Sequence, residues 1–158
     1  MMKNVPINSF TKDELNKYIL DLGEKNYRAK QVWKWLYVNG VKSFSEMSDI
    51  GIKFREKLHS NLDHNRLDID QHQISKDGTQ KWLFKLSDDR KIETVFIPET
   101  DRGTLCISSQ VGCTLSCSFC HTGTMPLVRN LSTNEIIGQI LAAKDGLEDW
   151  DIKNRKIT

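Results

Sequence analysis

A chain of 158 residues has room for about one domain. Its 38% apolar and 28% charged residues suit a globular protein, and a net charge of +2 gives no compositional signal for nucleic acid. No apolar run approaches the ~18 residues a membrane span needs, and the N-terminus Met-Met-Lys-Asn-Val-Pro lacks the apolar core of a signal peptide, so a cytoplasmic location is the default expectation.

Helices come first. Thr11 and Glu14 form a capping box, with Phe10 placed to pack on Leu15. Leu15, Tyr18, Ile19 and Leu22 then share one face, and Gly23 ends the helix. Ala29, Val32, Trp33, Leu36 and Tyr37 repeat at helical spacing until Asn39-Gly40. Arg28, Lys30 and Lys34 lie outside that stripe, as a solvated basic face or a set of phosphate contacts. Ser43 and Glu46 offer a second capping box before a short turn. Phe54, Leu58 and Leu62 mark a third helix. Residues 1–68 hold 12 Lys+Arg against 9 Asp+Glu, the remainder 11 against 12. That asymmetry has the right sign for an RNA-facing N-terminal module but is too small to decide anything.

From Ile69 the period changes to that of strands. Asp77-Gly78 signals a hairpin, and Trp82, Phe84 and Leu86 fall on one strand face. Asp88-Asp89 marks another turn, and Ile92–Ile97 the next strand, closed by Pro98. Alternation puts Glu93 on the face of Val95 and Ile97. A carboxylate there must be paired, exposed or functional. Thr104–Ser109 is expected as a further strand. Leu131, Ser132, Glu135 and Ile136 repeat the cap, box and staple of the first helix, and Ile136, Ile137, Ile140 and Leu141 supply its apolar stripe. Asp149–Asn154 is expected as a polar loop, with a strand opening at Arg155.

Between the strand and that last helix lies Cys113-Thr-Leu-Ser-Cys117-Ser-Phe-Cys120. Thiolates are soft ligands, and three on one short loop can converge on a metal centre. A cubane iron–sulfur cluster normally takes four cysteines, so three leave one iron open to a substrate or cofactor. The remaining cysteine, Cys106, is on residue type alone either a small buried hydrophobe or a reactive thiol. A zinc-binding nucleic-acid module is the alternative, with Cys106 or His121 as fourth ligand. Zinc loops, however, more often space cysteines as C-x2-C pairs.

The spacing C-x3-C-x2-C, with Phe119 before the last cysteine, resembles the radical S-adenosylmethionine enzymes. The flanks Glu93-Thr-Val-Phe-Ile-Pro98, Thr104-Leu-Cys-Ile-Ser-Ser-Gln-Val-Gly-Cys113, Arg129-Asn-Leu and Glu135-Ile-Ile-Gly-Gln139 narrow this. Together they resemble the bacterial dual-specificity RNA methyltransferases that act on adenine C2 of large-subunit rRNA and tRNA.

The resemblance implies a [4Fe–4S] cluster on Cys113, Cys117 and Cys120 that binds S-adenosylmethionine, an external electron donor, and rRNA and tRNA as partners. It assigns Glu93 as general base and Cys106 as the thiol that helps release product from a covalent RNA adduct. It also implies an α/β fold: a helical accessory domain over 1–68, a small antiparallel β meander over 69–98, and over 99–158 the first βα unit of a partial (β/α) barrel, truncated. The family's Gly-rich cofactor segment and methyl-carrying cysteine are expected beyond residue 158, in a continuation or a separate C-terminal half. The chain by itself is therefore expected to be inactive.

Overall fold

The computed structural model describes residues 4–113 and 125–157. Cys117, Cys120 and His121 lie outside the described residues. The chain forms two compact units, Met1–Arg66 with Trp150–Lys153, and Leu67–Asp149 with Asn154–Thr158.

The first unit is helical. Helix α1 (Lys12–Asp21) starts at Thr11, whose side chain accepts from the Glu14 amide while Glu14 accepts from the Thr11 amide at 2.8 Å. Gly23, at φ +82°, turns the chain out of it. Helix α2 (Asn26–Tyr37) buries Ala29, Val32 and Leu36, and α3 (Ile52–Asn61) buries Phe54 and Leu58. These pack with Ile7, Leu15, Ile19, Met47, Ile50 and Leu62 in one apolar core. Two short parallel strands, β1 (Val5–Pro6) and β2 (Leu62–Asp63), tie the unit's ends together. The expected box at Ser43 is not made. Its hydroxyl accepts from the Ser45 amide, and Glu46 accepts from the Lys42 amide at 3.0 Å. The turn is a 3₁₀ segment of only three residues, Phe44–Glu46, and Glu46 reaches one residue further back than an α-helical box requires.

The second unit is built on a four-stranded antiparallel sheet in the order β3 (Asp68–Ile74), β4 (Gln80–Lys85), β5 (Lys91–Pro98), β6 (Gly103–Cys106). The Asp77-Gly78 turn forms with Gly78 at φ +85° and Asp77 accepting from the Thr79 amide at 3.0 Å. One sheet face carries Trp82, Phe84, Ile92, Thr94 and Phe96, all buried. Helix α4 (Thr133–Leu147) completes this core with Ala142, Ala143 and Leu147. The opposite face carries Lys81, Lys85, Lys91, Glu93 and Ile97 and is open.

Two expectations for this unit change. Helix α4 does bury Leu141, but Ile136, Ile137 and Ile140 are only half-buried. Its innermost positions are Gly138, Gln139, Ala142 and Ala143. A Cβ at Gly138 would lie 2.9 Å from the Leu67 side chain, so the helix approaches closely there. A Cβ at Gly146 would lie 3.1 Å from the Trp82 ring. Second, β6 stops at Cys106 rather than Ser109, because the backbone of Ser108 bonds to the Gln139 side chain instead of a strand. Asp149, expected in a polar loop, is buried and accepts from the Ile157 amide at 3.2 Å. A parallel bridge joins Ile157 to Gly103. Among the described residues, no helix is long and apolar enough to cross a membrane.

Candidate active site: the neck of a cysteine loop and an open sheet face

The cysteine loop is closed at its neck. Strands β7 (Gln110–Val111) and β8 (Arg129–Asn130) pair antiparallel, Gln110 with Asn130 and Val111 with Arg129. The Val128 amide donates to the Val111 carbonyl at 2.9 Å, and the Cys113 amide to the Met125 carbonyl at 3.1 Å. Gly112 sits at φ +79° with Pro126 so close that a Cβ would collide with its carbonyl, so glycine is required there on both counts. Cys113 is half-buried at this neck. Among the described residues, no three His, Cys, Asp or Glu side chains gather as a metal site. The other two thiols of the trio belong to the loop that this neck closes. A short loop with tethered ends and three soft donors is a donor set suited to an iron–sulfur centre.

Glu93 and Cys106 share the open face of the sheet. In an antiparallel pair, directly opposed residues point the same way. Cys106 opposes Val95, and Val95 opposes Lys81 on its other side. Glu93, two residues before Val95, therefore lies on the same face, at a diagonal spacing of about 7–8 Å from Cys106. Its carboxylate accepts from Lys81 Nζ at 3.1 Å, with side-chain exposures of 48% and 41%. Both conditions set by the sequence are met together: Glu93 is exposed and it is paired. Cys106 is exposed as well. A carboxylate, an ammonium and a thiol thus lie on one open sheet face.

Helix α4 holds both legs of the loop. Glu135 accepts from Arg129 through both oxygens at 2.8 Å, and from the Ser132 amide at 2.8 Å as its capping-box partner. Arg129 also donates to Asp88 at 2.9 Å. These bonds hold the Glu135 carboxyl below the usual range, first through Arg129 and then through Ser132, while burial opposes them. Asp88 is held low chiefly by the same guanidinium. Lys81, Ser108 and the buried Gln139 were not singled out by residue type. A glutamine one turn after Glu135, inside an apolar helix face, is the signal that could have marked Gln139.

Residues 5–63 match the family described as Ribosomal RNA large subunit methyltransferase N-terminal domain. The dual-specificity RNA methyltransferase RlmN of Magnetococcus marinus is 52% identical over 146 residues, which is 92% of this chain and 41% of that protein. The chain matches the N-terminal part of the RlmN family. RlmN of Rhodospirillum rubrum is 48% identical over 147 residues, 92% of this chain and 34% of that protein. The crystal structure of a radical SAM methyltransferase from Sphaerobacter thermophilus has a TM-score of 0.85 at 33% identity, covering 98% of this chain and 45% of that one. The chain thus spans less than half the length of each of these relatives. The names of these RlmN relatives give the zinc alternative no support.

Proposed function

We propose that the chain is the N-terminal part of a radical S-adenosylmethionine methyltransferase that modifies C2 of adenosine in large-subunit rRNA and tRNA. The observation that carries this is the 52% identity to an RlmN over 92% of the chain. Cys113, Cys117 and Cys120 would hold a [4Fe–4S] cluster. When bound, cluster and S-adenosylmethionine supply the one-electron chemistry, and the protein supplies position and proton transfer. Glu93 takes the proton from adenine C2, and Lys81 keeps its carboxylate turned along the open face. Cys106, on that same face, is the thiol that frees the product.

The helical unit is the RNA-facing accessory domain. The strand-rich unit opens the catalytic core, and β6, the cysteine loop and α4 form the first βα unit of a partial barrel. The parallel bridge from Gly103 to Ile157 supports that last point, since a chain returning parallel to β6 after α4 is how such a unit closes. The enzyme works in the cytoplasm with an external electron donor.

Anaerobic reconstitution of the chain with iron and sulfide tests the cluster. The expected product is brown, and Cys113→Ala, Cys117→Ala or Cys120→Ala each abolishes the colour while Cys106→Ala keeps it. A colourless protein that takes up one zinc with Cys106 as a required ligand would overturn the reading.

A further inference from the structure

The stretch Glu135-Ile-Ile-Gly-Gln139 has a physical role that the proposed chemistry does not use. Gln139 is fully buried. Its Oε1 accepts from Thr94 Oγ1 at 2.8 Å and from the Ser108 amide at 2.8 Å. Its Nε2 donates to the Ser108 carbonyl at 2.9 Å and to the Glu135 carbonyl at 3.2 Å. A carboxamide can make four such bonds, and all four are made. The amide orientation follows from its partners, because a flipped group would face donor with donor at the Ser108 amide and acceptor with acceptor at its carbonyl.

The place of this clamp matters more than its strength. Ser108 is the residue that would oppose Glu93 if β6 continued, since Val95 opposes Cys106 two positions earlier. The Gln139 side chain takes both backbone groups of Ser108 instead, and the strand ends. Ser108 Oγ then donates to the Glu93 carbonyl at 2.8 Å. Thr94, the neighbour of Glu93, is bonded to the same glutamine. One helical turn earlier, Glu135 grips Arg129 on the other leg of the cysteine loop. Residues four apart on a helix share a face, so one face of α4 holds the loop where it enters and where it leaves.

We infer that Gln139 is the positioning residue of the cysteine loop: it locks the entering leg to the strand that carries Glu93, while Glu135 locks the departing leg. This rests on the proposed cluster. The inference goes further, because it ties Ser108, Arg129 and the strand of the candidate base to one helix, α4. Without the glutamine, Ser108 loses two bonds and the buried Thr94 hydroxyl loses its acceptor.

The test uses the full 158-residue chain in Gln139→Met, with Leu147→Ala as a control that damages the same core at the far end of α4. In metal-free protein, the Ser108 amide should exchange about tenfold faster in Gln139→Met, as expected for one lost buried hydrogen bond, and stay protected in Leu147→Ala. In reconstituted protein, EDTA should strip the brown chromophore about tenfold faster from Gln139→Met than from Leu147→Ala, the leg of the loop having lost the same bond. If Gln139→Met does not fold, Gln139→Asn, which keeps the carboxamide but is one methylene too short to reach both backbone groups of Ser108, carries both comparisons. Unchanged Ser108 exchange, or equal chromophore loss in variant and control, overturns the inference while the cluster stands. A wild-type chain that gains no chromophore sinks the cluster reading and the inference with it.

Discussion

Replacing Glu135 by Gln removes one charge from the Arg129 contact and one of its two acceptor oxygens. Glutamine keeps an oxygen for the Ser132 amide, so the helix cap survives. What goes is a two-point ion pair at 2.8 Å, with side-chain exposures of 9% for Glu135 and 33% for Arg129. Breaking a fully buried pair costs about 3–5 kcal/mol, whereas exposed pairs contribute about 0–1 kcal/mol. One partner is buried and the other is a third exposed and keeps Asp88 at 2.9 Å. The expected loss at pH 7 is therefore about 2 kcal/mol. The sign with pH follows from the depressed carboxyl. Its contribution is complete above the ordinary value of 4.5 and is lost as pH falls through the lower folded value.

Wild type and Glu135→Gln should thus differ by about 2 kcal/mol at neutral pH and converge once the pH drops well below 4.5. Urea unfolding at a series of pH values, read on amides of β4 and β5, measures this within the unit that holds Glu135. Two results would refute the reasoning: a loss under about 0.5 kcal/mol at pH 7, the range of ordinary surface substitutions, or an identical pH slope in the two proteins.

Gly40→Ala should destabilise the helical unit by about 2–5 kcal/mol, combining a left-handed backbone at φ +67° with a Cβ that overlaps the Trp150 ring. Pairing it with Trp150→Ala in a thermodynamic cycle should recover the steric part only, and urea melts of the four proteins would show it. Lys81→Met should change stability by no more than about 1 kcal/mol, being half of an exposed pair. In a full-length enzyme it should slow turnover, and unchanged turnover would detach Lys81 from Glu93's role.

Local signals survived intact from sequence to structure. The Thr11–Glu14 box, the Asp77-Gly78 turn and the inward set Trp82, Phe84 and Leu86 each depend on residues within a few positions of one another. Features that need a distant partner were not legible. The end of β6 depends on a glutamine 31 residues away. The burial of Asp149 depends on the amides of Lys156 and Ile157. The inner face of α4 follows how closely the helix approaches its partners, such as Leu67 beside Gly138, so Ile136, Ile137 and Ile140 are only half-buried while Gly138, Ala142 and Ala143 are buried. At the candidate site the cysteine spacing was visible at once. That Glu93, Cys106 and Lys81 share a face required the register of three strands, which alternation within each strand does not fix.

The two faces of the sheet separate two kinds of residue. On the covered face, Thr94 and Gln139 are buried with their hydrogen bonds satisfied, so changing them costs folding free energy directly. On the open face, Glu93, Lys81 and Cys106 are exposed, and the one ion pair among them contributes little to stability. The fold would tolerate many residues at those three positions. A carboxylate, a thiol and an ammonium gathered there are therefore better explained by what the face meets than by what holds it together. Substituting them should be read in chemistry at constant stability. Substituting the buried set should be read in stability first. A Glu93→Gln protein that unfolded like a core variant would mean that the open face is covered in the folded protein, and the assignment of Glu93 as a solvent-reachable base would fail.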